Sequence, residues 1–242
     1  MKQIESSQYP QHIAIIMDGN RRWAKQHHLP IHMGHQKGAK KIFNISKWCI
    51  EYNIKYLTLY CLSIENLQRS QEELTHLFKY INSIAADNNI HFIQNNNIKI
   101  TALGDVSLLP MDTQKTLAKI QDISHKNTGL NIQLCIGYGG QQEIITAFHK
   151  LISNILSQTT NVQDIINNIS VDTLKQNLYT ANTPEPDLMI RCGGEKRLSN
   201  FLLWQLSYTE LYFTTTLWPA FSKKDFLLAL YNYAHRIRRY GK

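Results

Sequence analysis

The sequence predicts an α/β fold, a mainly parallel central sheet of about six strands flanked by helices. Three observations lead there. Short apolar segments alternate with longer helical ones, most of the short segments are near-continuous apolar runs, and no linker, repeat or composition break divides the 242 residues. Near-continuous apolar strands belong in a sheet covered on both faces, whereas strands facing water on one side alternate. One domain over residues 1–242 is therefore expected.

The strands are expected at residues 12–17, 56–62, 98–103, 131–136, 187–191 and 211–214. Between them the apolar spacing turns helical. Residues 38–52 repeat Ile42, Ile45 and Cys49, and residues 72–92 present Leu74, Leu77, Phe78, Ile81, Ile84 and Ala85 on one face. Further helices are expected at 112–126, 141–156 and 223–239, the last carrying Phe226, Leu230, Tyr233 and Ile237. In parallel α/β sheets ligands gather beyond the carboxyl ends of the strands. Asp18, Ser63, Gly137 and Gly193 all fall at such ends, which locates the expected site. Neither G-x-G-x-x-G nor a P-loop occurs, so an ordinary nucleotide fold is not supported.

Hydrophobic residues make up 43% of the chain, ample for a core, and the formal net charge is +8. Such a charge admits nucleic acid, an anionic membrane surface or an anionic small molecule. Much of the excess is local, at Arg21, Arg22 and Lys25, at Lys37, Lys40 and Lys41, at Arg191, Lys196 and Arg197, and at Arg236, Arg238, Arg239 and Lys242. No basic stripe with interleaved aromatics recurs, so nucleic acid is not expected as a partner. The basic C-terminal cluster reads as a solvated helix end. Cys49, Cys61, Cys135 and Cys192 lack C-x-x-C spacing and read as reduced residues of a cytoplasmic protein. There is no secretory signal character and no uncharged apolar run of about 18 residues, so a soluble chain is expected.

Two distant segments read as halves of one diphosphate site. Residues 13–23 form an apolar run ending in Asp18, Gly19, Asn20, Arg21, Arg22 and Trp23. Residues 191–213 carry Arg191, Gly193, Gly194, Glu195, Arg197, Ser199 and Asn200, then Glu210. Carboxylates beside guanidinium groups on glycine-rich loops suit a Mg²⁺-bound polyphosphate. A third segment supplies Ser63, Asn66 and Arg69, spaced so that one helical turn would put them on one face. The plainer alternative makes Ser63 a helix N-cap and Asn66 incidental. His27, His28, His32 and His35 have no cysteine or well-placed carboxylate beside them, and Pro30 interrupts the run. They are not read as a zinc site; His35 is read as a donor to phosphate.

Together these segments resemble the cis-prenyltransferases, most closely the undecaprenyl diphosphate synthase type, over roughly residues 12–221. The stretches that carry the resemblance are I-M-D-G-N-R-R-W (16–23), S-x-E-N (63–66), P-D-L-M-I-R-C-G-G-E-K-R-L-S-N-F-L-L-W-Q (186–205) and E-L-Y-F (210–213). The D-D-x-x-D pairs of trans-prenyl synthases are absent. The resemblance implies a dimeric enzyme whose strands and helices enclose an apolar tunnel, residues 72–92 forming one wall. It condenses isopentenyl diphosphate onto farnesyl diphosphate with Mg²⁺, and undecaprenyl diphosphate, precursor of a cell-wall lipid carrier, is the expected product. By the same resemblance Asp18 is the metal-associated aspartate and Glu210 a second metal-associated acid. Gly19, Asn20, Arg21, Arg22, Trp23 and His35 fall to the allylic diphosphate. Ser63, Ile64, Glu65, Asn66 and Leu67 lie near the reacting carbons with Arg69 in support, and Arg191, Arg197, Leu198 and Ser199 take isopentenyl diphosphate.

Asn66 is the proton acceptor by that analogy, yet an amide is a feeble base. A positioning or relay role is expected, with a diphosphate oxygen as the final acceptor. The sequence departs from the family pattern at Ile31, where arginine is usual, and at Arg21, Cys61, Leu62, Leu67, Gly137 and Gln141. These positions bear on starter and product length, so a short- or medium-chain synthase is the nearest alternative. A non-catalytic partner subunit would have lost its acids and arginines, but Asp18, Arg22, Arg191, Arg197 and Glu210 are all present. Transient membrane contact of the basic C-terminus during release of a water-insoluble product is a further expectation.

Overall fold

The computed structural model describes residues 8–236. Six strands form one sheet among them: β1 (His12–Ile16), β2 (Tyr56–Ser63), β3 (Lys99–Leu103), β4 (Asn131–Tyr138), β5 (Leu188–Arg191) and β6 (Glu210–Phe213), in the spatial order β3-β4-β2-β1-β5-β6. All five pairings are parallel. The predicted strands are thus found, each within a residue or two of its expected limits. Alternate residues of β1 serve opposite faces: Ile13 and Ile15 join one hydrophobic cluster, Ala14 and Ile16 the other. Every residue of β1 and β5 is buried, which explains why these strands read as unbroken apolar runs.

The helices are α1 (Asn20–Gln26), α2 (Ile31–Glu51), α3 (Gln71–Asn82), α4 (Asp87–Asn95), α5 (Met111–Ser124), α6 (Gly140–Leu156), α7 (Val162–Asn167), α8 (Val171–Lys175) and α9 (Lys223–Ala234). Helix α2 begins seven residues before the expected start, at Ile31 directly after Pro30. Gly34 and Gly38 weaken the helical signal there, but they are needed for packing. A Cβ at Gly34 would lie 2.2 Å from the Asn20 carbonyl oxygen, and one at Gly38 would lie 2.2 Å from Asn20 Oδ1. The single helix expected over 72–92 is two, because the chain turns extended at Ala86 (ψ 145°). Ser83 Oγ donates to the Tyr80 carbonyl at 2.7 Å and the Ser83 carbonyl accepts from Asn89 Nδ2 at 2.7 Å, a local competition that ends helices. The expected helix over 223–239 ends at Ala234; its residues Ile237, Arg238 and Arg239, and Lys242 of the basic cluster, lie outside the described residues.

β1 separates β2 on one side from β5 on the other, so the connections leave β1 in opposite directions and the strand order reverses there. That switch point is where a crevice opens in such sheets. No helix among the described residues is long and apolar enough to cross a membrane.

Candidate active site

A cleft of about 840 Å³ opens beyond the carboxyl ends of β1, β2 and β5. Its polar end begins where β1 stops. Asp18 N–H bonds back to the Ile16 carbonyl at 3.0 Å, and Gly19 adopts φ 107°, a left-handed conformation that starts α1 and favours glycine. The Asp18 carboxylate is thereby fixed between two arginines: Oδ2 accepts from Arg191 Nη2 at 3.1 Å and Oδ1 lies 3.2 Å from Arg22 Nη2. Arg22 Nη1 also donates to the Gly193 carbonyl at 2.7 Å. Gly193 (φ 87°) has no room for a side chain, since a Cβ there would sit 2.5 Å from Arg22 Nη2.

Arg191, at the end of β5, is 3% exposed. Its Nη1 donates to Ser199 Oγ at 2.9 Å and to the Arg197 carbonyl, while its buried Nε has no partner. A buried guanidinium donor left unpaired is costly unless a ligand takes it. Arg197 is more open, with 62% side-chain exposure, and pairs with Glu195 at 2.5 Å. Arg22, Arg191 and Arg197 thus share two carboxylates here, Asp18 between Arg22 and Arg191 and Glu195 beside Arg197 and, at 3.8 Å, Arg22.

The second wall follows β2. A register shift around Cys61 and Leu62 bends the strand end, and bulges of this kind re-aim side chains beside active sites. Ser63 Oγ then accepts the Asn66 backbone N–H at 3.1 Å, a side-chain bond into the short 3₁₀ turn Glu65–Gln68, whose N-cap position is Ile64. Ser63 at the strand end, Asn66 in the turn and Arg69 just after it all line the cleft without sharing one helical turn. Glu73, on the first turn of α3, accepts from Arg69 Nη1 at 3.1 Å and bonds His35 Nε2 at 3.0 Å through the same oxygen. Burial pulls the His35 pKa below its ordinary value, with the Glu73 hydrogen bond acting in the opposite sense. A second, largely apolar cavity of about 310 Å³ has Ala39, Ile42, Cys61, Tyr80 and Ile81 in common with the cleft.

Asp18, Gly19, Asn20, Arg21, Arg22, His35, Ser63, Glu65, Asn66, Arg69, Arg191, Arg197 and Ser199 come together in this cleft as predicted from sequence. The other expected residues do not line it. Trp23 is buried against His27, ring centroids 4.1 Å apart. Ile64 precedes the 3₁₀ turn, and Leu67 and Leu198 pack against the two core clusters. Glu210 stands apart from the cleft residues. Its register partner is Leu188, at the amino end of β5, and its carboxylate accepts from Arg236 Nη1 at 2.6 Å. In an all-parallel sheet that is the opposite end from Asp18, so the two acids of one chain cannot share an ion. Among the described residues no three His, Cys, Asp or Glu side chains converge as a metal site. Sequence reasoning missed Glu73, Tyr60 and Trp218; only Glu73 left a signal, its four-residue spacing from Arg69.

Comparisons with known proteins show the family and the fold. The family model described as "Putative undecaprenyl diphosphate synthase" matches residues 16–241. Isoprenyl transferase 1 of Corynebacterium diphtheriae is 42% identical over 100% of this chain and 91% of its own length. The tritrans,polycis-undecaprenyl-diphosphate synthase (geranylgeranyl-diphosphate specific) of Thermoplasma volcanium is 39% identical, covering 100% of this chain and 93% of the relative. Among solved structures, lavandulyl diphosphate synthase from Lavandula x intermedia in complex with dimethylallyl diphosphate superposes with a TM-score of 0.92. It is 36% identical, covering 98% of this chain and 100% of that one. The chain belongs to the cis-prenyltransferase family and is a transferase of the undecaprenyl diphosphate synthase type.

Proposed function

We propose that residues 1–242 form one catalytic domain that condenses isopentenyl diphosphate repeatedly, in cis, onto farnesyl diphosphate with Mg²⁺. The expected product is a long polyprenyl diphosphate, undecaprenyl diphosphate, destined for a cell-wall lipid carrier. The observation that carries the reading is the joining of two unlike spaces. Asp18, Arg22 and Arg191, with an unpaired Arg191 Nε, stand at one end. An apolar cavity continues past Cys61 at the other. A diphosphate suits the first and a growing hydrocarbon chain the second, which supports reading that cavity as part of the expected tunnel.

The donor set around Asp18 fits a substrate-borne Mg²⁺. This ion keeps several waters and takes one or two carboxylates plus phosphate oxygens, so Asp18 alone is sufficient protein ligation. When bound, Mg²⁺ would neutralise charge on the departing diphosphate. Arg21, Arg22 and His35 would hold the allylic diphosphate, helped by Gly19 and Asn20. Arg191, Arg197 and Ser199 would hold isopentenyl diphosphate so that its double bond faces the allylic carbon. Preorganised guanidinium groups act most strongly where water is excluded. Loss of a proton then completes each addition, with Asn66 positioning the proton's path and a diphosphate oxygen accepting it. The working protein would be a cytoplasmic homodimer that touches the membrane surface when its product leaves.

A short- or medium-chain product is the second reading, favoured by the apolar cavity itself, whose volume of about 310 Å³ is at the lower end for small-molecule pockets. The test is incubation with Mg²⁺, farnesyl diphosphate and radiolabelled isopentenyl diphosphate, with products sized by chromatography and Asp18→Ala run in parallel. A long product that vanishes in the variant is expected. A product that stops after a few additions would move the assignment to the second reading. No product from any allylic starter would overturn both.

A further inference from the structure

Asn200 lines the cleft, but the substrate contacts proposed above give it no part. Its conformation is unusual: Ser199 (φ 52°), Asn200 (φ 62°) and Leu202 (φ 44°) are three left-handed residues other than glycine within four positions. Such backbone costs free energy and persists where the surroundings enforce it, often at functional sites. What enforces it is a set of bonds from Asn200 to two other segments. Its Nδ2 donates to Glu65 Oε1 at 2.8 Å and to Gln142 Oε1 at 3.1 Å. Its Oδ1 accepts from the Gln141 backbone N–H at 2.9 Å, and its carbonyl accepts from Gly140 N–H at 2.7 Å. Gly139 is part of the same joint, because a Cβ there would lie 2.2 Å from Gln142 Oε1 and 2.7 Å from Asn200 Nδ2.

One side chain therefore ties together the loop bearing Arg197 and Ser199, the loop bearing Ser63 and Asn66, and the first turn of α6. We propose that Asn200 is a positioning residue, whose clasp on Glu65 and Gln142 sets the distance between the loop that would hold isopentenyl diphosphate and the loop that bears Asn66 beside the reacting carbons. This inference rests on the proposed condensation of two diphosphates. Asn200 supplies no diphosphate donor of its own in this scheme. Its loss should disturb the approach of the reacting carbons more than the affinity for either substrate.

The test uses the full chain with Asn200→Gly, Asn200→Asp, Glu65→Gln and the double variant Asn200→Asp/Glu65→Gln. Glycine keeps the left-handed backbone and removes only the side-chain clasp. Aspartate keeps size and shape but turns a donor into an acceptor facing Glu65; the second substitution restores a donor on the other side of the same bond. The readouts are thermal midpoint, hydrogen exchange of peptides covering residues 63–69, and kcat and KM for each diphosphate. Expected is faster exchange over 63–69 in Asn200→Gly at an unchanged midpoint. With it goes a kcat lower by about tenfold to a hundredfold, the scale of a displacement near 1 Å, each KM staying within about threefold. The double variant should regain most of the kcat lost in Asn200→Asp. Unchanged exchange over 63–69 would overturn the clasp whether or not the enzyme turns over. Normal kcat in Asn200→Gly, or a double variant no better than Asn200→Asp, would overturn the positioning role. If the unaltered protein makes no prenyl product while the exchange difference appears, the clasp stands and the condensation reading fails.

Discussion

Arg191→Lys is the most informative single change, because it keeps the charge and removes the geometry. Arg191 spreads its donors over Asp18 Oδ2 at 3.1 Å, Ser199 Oγ at 2.9 Å and the Arg197 carbonyl, and has Nε to spare. A lysine ammonium is one compact point at the end of a flexible stem and cannot reproduce that fork. Hydrogen bonds to charged groups contribute about 1.5–3 kcal/mol each. Of the five N–H groups of Arg191, three meet protein acceptors, and loss of a hydrogen bond from the other two to the ligand should raise KM for isopentenyl diphosphate by about tenfold to a hundredfold. KM for the allylic substrate should change little, since Arg22 stays in place. The protein contacts that go at the same time should cost about 1–2 kcal/mol of stability, a fall in midpoint of about 2–8 °C for a chain of this size. Arg197→Lys is the built-in control: with 62% of its side chain exposed, Arg197 can be replaced by a re-aimed lysine at smaller cost. The assay is initial-rate kinetics with each diphosphate varied at saturation of the other, beside a thermal melt. An unchanged KM for isopentenyl diphosphate, or a rise confined to the allylic substrate, would refute the assignment of Arg191.

Two further outcomes follow from burial. His12 is held by burial at a pKa of about 4 against an ordinary 6.5, the Pro184 carbonyl and Asp187 opposing the shift. The unfolded chain thus takes up a proton that the folded one refuses. Stability is unaffected above about pH 6.5 and falls as pH drops toward 4, by about 3 kcal/mol in all; urea midpoints between pH 7 and 4 should show this fall, with a flatter acid limb in His12→Asn. Gly34→Ala should cost about 1–3 kcal/mol, because its Cβ would meet the Asn20 backbone oxygen at 2.2 Å and backbone cannot swing aside. A melt of Gly34→Ala matching the unaltered protein would refute the close approach of α1 and α2.

Sequence alone determined the sheet, because strands such as β1 and β5 are buried along their whole length and their apolar runs are a local record of that burial. It also determined the polar end of the cleft, since Asp18 and Arg191 stand at strand ends that a parallel sheet must bring to one edge. Short helices α1, α7 and α8 were not legible: five to seven residues carry less than two full helical turns of pattern. The start of α2 was masked by Gly34 and Gly38, which weaken helices locally and are kept for a contact with Asn20 that no local pattern encodes. Only the tertiary structure decided which acid joins which base. Glu73 reaches His35 across 38 positions, and Asn200 reaches Glu65 across 135. The same holds for Glu210, whose chemistry suits a metal but whose place at the amino end of β6 puts it away from Asp18. Residue type is written in the chain; the distance between two residues is set by register and packing, which belong to the whole fold.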